Sequence, residues 1–157
     1  MKPFDGEQGK PEMKILQTIA GAVLIAGSSI GAAQPPTRPG DFGSQTLTLI
    51  NSYRTSRGLP ALVANSTLKA LATEHSRYQA ARSAISHDGF RQRSAQARAA
   101  GLKGICAENV GVGYQNAQHL FSGWKNSSAH NKNLLRPNLR YASVSVVGNY
   151  STFFACE

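Results

Sequence analysis

The sequence predicts an α+β domain with its helices first and its strands last. Three observations carry this. Apolar residues before position 135 recur mostly at helical spacing, whereas Tyr141 to Val147 and Thr152 to Cys156 alternate or run apolar as strands do, split by a Gly148-Asn149 turn. The third is size: 157 residues with 41% hydrophobic content suffice for one modest core and not for two.

The chain opens on a segment that reads as an export leader. Lys14 precedes an uncharged run from Ile15 to Ile30, and Gly31-Ala32-Ala33 supplies a small-residue cleavage pattern. Residues 1–33 are therefore expected to be a signal peptide, with residues 1–12 an upstream extension of it. The run is too short and too glycine-broken for a membrane span, so the processed chain should not span a membrane and belongs outside the cytoplasm, secreted or periplasmic. Residues 34–43, with three prolines and two glycines, read as a linker, and residues 44–157 as the domain.

Within the domain, Leu47, Ile50 and Tyr53 step along one helical face, with Ser44 available as a cap and Gly58 and Pro60 as stops. Asn65 caps a second helix whose stripe is Leu68, Leu71, Ala72, His75 and Tyr78, which makes His75 a packed histidine rather than a ligand. Ser83 to Phe90 breaks the periodicity and displays His87-Asp88-Gly89 on a polar turn. Arg91 to Ala100 favours a third helix, ended by Gly101.

Cys106 to Leu135 concentrates the chemistry: one acid, two histidines and the single Trp. Leu120, Phe121 and Trp124 mark a helix over Asn116 to Ser127 with Asn116 as its cap, and His119 lies at the edge of its packed face. Glu108-Asn109 precedes Gly111 and Gly113, small residues that allow close backbone approach, and Val110 to Tyr114 offers a third strand. Ser127-Ser-Ala-His130 is expected to end the central helix on an imidazole.

Charge and cysteines narrow the setting. Residues 1–33 hold three lysines and three acids, so the processed chain keeps the net charge of +9. A surface of that sign associates with an anionic envelope polymer or lipid headgroup; nucleic acid is not expected, because no stacking aromatics alternate with the arginines. Two cysteines in an exported chain most simply form one bridge, Cys106 to Cys156, linking the Glu108 segment to the last strand.

Ala107-Glu-Asn-Val110, a Gly-rich turn and Trp124-x-x-Ser127-x-x-His130-x-x-Asn133-Leu-Leu135 resemble the CAP superfamily of cysteine-rich secretory, antigen 5 and pathogenesis-related 1 proteins, also called SCP-like. The chain is most similar to its short bacterial branch. Asn51-x-x-Arg54, Leu59-Pro-x-Leu62, His75-Ser76 and Ser86-His87 extend the resemblance over about residues 44 to 157. It implies a three-layer α/β/α sandwich with a central antiparallel sheet. It also places a polar cleft at His87, Glu108 and His130, with Asn109, Tyr114, Trp124 and Ser127 as its support.

Two imidazoles and a carboxylate form a legitimate set for Zn2+ or another divalent metal, with a fourth position left for water. A structural role stands beside that one, in which Glu108 receives N–H bonds in the Gly-rich turn, Asn109 bridges loops and His130 satisfies helix-terminal carbonyls. Longer CAP proteins carry a second acid where this chain has Ser127, so an obvious general base is missing and Glu108 is the remaining candidate. Two functions stay open: an envelope binding module, or a metal-assisted hydrolase of peptide or ester bonds.

Overall fold

A computed structural model describes residues 41–157 of the chain. The expected leader, residues 1–33, and most of the expected linker lie outside the described residues. The elements run α1 (Phe42–Ser56), β1 (Val63–Ala64), α2 (Ser66–Arg82), α3 (Phe90–Ala99), β2 (Cys106–Val112), α4 (Ala117–Asn126), α5 (Ser128–Leu134), β3 (Tyr141–Val147) and β4 (Tyr150–Cys156).

The helix caps follow from short polar side chains. Asn65 accepts from the Leu68 amide and Asn116 from the His119 amide, as the sequence predicts. The first helix starts earlier than Ser44. Asp41 is its cap, accepting from the Ser44 amide at 2.7 Å, and that bond lowers the Asp41 carboxyl below its ordinary value.

The sheet order is β1-β3-β4-β2. β3 and β4 form the expected hairpin across Gly148-Asn149, and β2 pairs antiparallel with β4 over Cys106 to Val112. The expectation of an antiparallel sheet holds for these three strands. The two-residue β1 adds a parallel edge, which makes the sheet mixed.

Adjacent Phe153 and Phe154 define the layers, because neighbouring strand residues face opposite ways. Phe153 packs on Trp124 at 6.2 Å between ring centroids, within a core that α1, α4 and α5 supply through Leu47, Ile50, Leu120, Phe121 and Leu134. Phe154 meets Phe90 edge-on at 6.1 Å in a second core with Leu68, Leu71, Ala72 and Ala97 of α2 and α3. Helices on both faces of one sheet are the expected α/β/α sandwich.

The α2 face is more polar than its stripe suggested. Ser76 and Gln79 are buried and both bond the Thr152 hydroxyl, while Thr73 pairs with Ser145. Tyr78, expected on the stripe, is an exposed residue. The polar seam is hydrogen-bonded rather than apolar because β3 and β4 send Ser145 and Thr152, not Val, to that side.

Cys106 and Cys156 are register partners on β2 and β4 and form the disulfide. Among the described residues no helix is long and apolar enough to cross a membrane.

Candidate functional site

Glu108 lies inside a regular strand, not on the irregular turn its neighbours Gly111 and Gly113 suggested. The reason is burial: Cys106 to Gly111 are all buried, so β2 shows no alternation for a sequence reading to detect. Its side chain is 1% exposed and points to the α2–α3 side of the sheet. There it meets Arg93, His87 and His75.

Arg93 holds the carboxylate with a fork. Nε donates to Oε2 and Nη2 donates to Oε1, both at 2.9 Å, with Nη2 also 2.7 Å from Oε2. The remaining nitrogen, Nη1, donates to the Asp88 carbonyl at 2.7 Å. His87 reaches the same carboxylate from the loop before α3, with Nδ1 2.9 Å from Oε1 and its side chain 57% exposed. Arg93 lies on the helix expected over Arg91 to Ala100; nothing in its spacing distinguishes it from Arg91 and Arg98, which are exposed.

His75 is the packed histidine the stripe predicted. Its Nε2 donates to the Ser86 carbonyl at 2.7 Å and lies 3.8 Å from Glu108 Oε1. Proximity to Glu108 favours the imidazolium, yet burial outweighs it and pushes the His75 pKa down, so the ring is neutral near pH 7 and the 3.8 Å approach is not an ion pair.

Asn109 faces the other way, toward α5. Its Nδ2 donates to the His130 carbonyl at 3.1 Å, and its Oδ1 accepts from Asn133 Nδ2, which also donates to the Glu108 carbonyl. The bridging expected of Asn109 is therefore a tie between β2 and α5. Trp124 is fully buried and donates from Nε1 to the Val110 carbonyl at 3.1 Å, a core role.

His130 does not end the central helix. Ser127 is extended (φ −92°, ψ 119°) and splits the segment into α4 and α5, so His130 sits within the short second helix. Burial pushes its pKa down, and a charge on His87 pushes it further in the same direction, so the two imidazoles lie within electrostatic reach of each other. Tyr114 belongs elsewhere: it lies just past the far end of β2, its ring 5.0 Å from that of His119 and packed over Gly111 and Gly123.

The cleft at the β2 edge has a volume of about 290 Å3 and is lined by His87, Phe90, Cys106, Ala107, Glu108, Asn133 and Arg136. Behind α5, Arg54 is fully buried and donates from Nη1 to the Leu134 and Arg136 carbonyls and from Nε to the Pro60 carbonyl, so α1 fixes the end of the helix that carries His130. Among the described residues no group of three His, Cys, Asp or Glu side chains is arranged to hold a metal ion. Both Glu108 oxygens are engaged, so a metal here would draw on the two imidazoles, with Glu108 behind them.

An α/β/α sandwich with a histidine- and glutamate-bearing cleft at one sheet edge defines the class. The cysteine-rich secretory protein family, CAP, matches residues 47–157, and the chain belongs to it. Solved structures share the fold. One is an extracellular SCP-domain protein of Bacillus anthracis, with 22% identity, TM-score 0.67, and 79% of this chain and 45% of that one covered. A cysteine-rich secretory protein of Staphylococcus aureus has 23% identity, TM-score 0.64 and coverage of 76% and 40%. An outer surface protein of Borrelia burgdorferi has 18% identity, TM-score 0.62 and coverage of 71% and 88%. The chain thus spans less than half the length of the first two. No curated protein matches it.

Proposed function

We propose that the chain is an exported binding module of the bacterial cell envelope or exterior, whose cleft beside β2 receives an anionic group, phosphate or carboxylate, of an envelope polymer or lipid. One observation carries this reading: the carboxylate in the cleft wall is already matched by Arg93, so the lining charge left to face a ligand is that of Arg136. The net charge of +9 adds long-range attraction of the same sign. The Bacillus relative is an extracellular protein and the Borrelia relative an outer surface protein, which supports such a location.

Sedimentation of the protein with phosphatidylglycerol vesicles, and separately with purified anionic wall polymer, tests it at two salt concentrations. Arg136→Ala should weaken binding well beyond Arg82→Ala, which removes a charge outside the cleft lining. Equal weakening by both would leave only diffuse charge attraction and sink the cleft as the site.

A second reading rests on His87. With Nδ1 turned to Glu108, its Nε2 is the nitrogen available to a divalent metal shared with His130, the arrangement in which a carboxylate orients a metal-binding imidazole from behind. Bound Zn2+ would supply Lewis acidity. Hydrolysis has little support among the side chains: Ser127 stands where a second acid would, and Glu108 has no free oxygen to act as a base. Zinc calorimetry on wild type against His87→Ala/His130→Ala decides the metal, and ester and peptide reporters with and without zinc decide the chemistry.

A further inference from the structure

We infer that Arg93 is the positioning residue of the cleft: acting through Glu108, it holds His87 as the Nδ1–H tautomer and keeps Nε2 as a bare acceptor available to a ligand. The inference rests on the second reading of the cleft, in which His87 Nε2 meets a metal or a ligand's own hydrogen-bond donor, but its chemistry stands on the hydrogen bonds alone.

A carboxylate offers acceptors only, so an imidazole nitrogen 2.9 Å from Glu108 Oε1 must bring the proton. A neutral ring with its proton on Nδ1 has none on Nε2. This assignment persists only while Oε1 keeps its place, and Glu108 cannot swing. Arg93 bonds both of its oxygens in a buried fork whose planar geometry fixes the carboxylate plane as well as its position.

The same guanidinium donates through Nη1 to the Asp88 carbonyl, one residue from His87. One side chain therefore fixes the acceptor and the loop that carries the donor. His75 reinforces the loop from α2 by donating to the Ser86 carbonyl, one residue on the other side of His87. Lysine could replace the charge of Arg93 but not three donors in a plane. The fork and the loop bond could not both survive.

Long-range 1H–15N spectra of the imidazoles in the full chain test this at a pH where His87 is neutral. Wild type should show His87 with a protonated Nδ1 and an unprotonated Nε2. Arg93→Lys and Arg93→Gln should each move both 15N shifts toward the opposite tautomer, while the disulfide and near-ultraviolet circular dichroism stay as in wild type. An Nε2–H signal in wild type would overturn the inference, as would unchanged His87 shifts in folded Arg93 variants. Loss of the fold in both variants would make Arg93 a structural strut and overturn it too. The predicted tautomer together with failed vesicle, polymer and zinc binding would refute the proposed function and leave this assignment standing.

Discussion

Glu108 and Asn109 are consecutive residues of β2 whose side chains work on opposite sides of the sheet: the carboxylate is gripped by Arg93 of α3, and the amide is tied to His130 and Asn133 of α5. One strand thereby fixes both walls of the cleft. His87 is set against the first residue and His130 against the second.

Asn109→Ala should remove the tie to α5 without touching Arg93. The part-buried His130 carbonyl and Asn133 side-chain amide would each lose a partner, at about 1–3 kcal/mol. Urea denaturation should show that loss, and amide exchange should quicken across residues 128–134 more than across α2. Uniform exchange changes would refute a local tie.

The disulfide closes a separation of 50 residues between two strands already in register. Cys106→Ser/Cys156→Ser should lower unfolding free energy by about 2–4 kcal/mol, chiefly through the unfolded chain. The folded variant should keep the native circular dichroism. A changed native spectrum would mean that the bond shapes the fold rather than secures it.

Stability should fall as the medium is acidified, and His75 is one cause. Burial lowers its pKa in the folded protein below the ordinary 6.5, so below that pH the unfolded chain binds the proton more readily. The contribution is whole above about pH 6.5 and is lost as pH falls from there through the lowered folded value. His130 adds to the effect with the same sign. Denaturation midpoints between pH 7.5 and 5 should drop less steeply in His75→Gln, and an unchanged slope would exclude His75.

Trp124→Phe should cost more than its size difference suggests, since it leaves the Val110 carbonyl without the indole donor in a fully buried place. About 1–3 kcal/mol is expected from the orphaned acceptor, with a smaller cavity cost added. Trp124→Ala should reach about 3–5 kcal/mol. A cost for Trp124→Phe below about 0.5 kcal/mol would mean that the bond is not stabilising.

Much of this fold is legible from local rules. Asn65 and Asn116 cap the helices they were expected to cap, and the β3–β4 hairpin and the Cys106–Cys156 pair follow from alternation and redox setting. What escaped reading was decided by tertiary contact. Cys106 to Asn109 forms a strand because helices cover both sides of it, which erases the period-two pattern. Ser127 breaks one apparent helix into two, although Ser and Thr are common inside and outside helices alike. Arg93 looks in sequence like its solvated neighbours Arg91 and Arg98, and only the position of Glu108 across the α2–α3 layer sets it apart. The two-residue β1 is too short to leave any periodicity.

β2 is the last strand in its sheet, and a terminal strand ordinarily offers its open backbone as a template on which another chain can build. The carbonyls of Glu108 and Val110, two residues apart and so directed alike, already accept from Asn133 and Trp124. A foreign strand arriving at this border would have to displace both donors, one of them anchored in the core. Asn133, which lines the cleft, and Trp124 of the core thus guard the domain against accretion, and a ligand entering there must be recognised by its own functional groups rather than by extending the sheet.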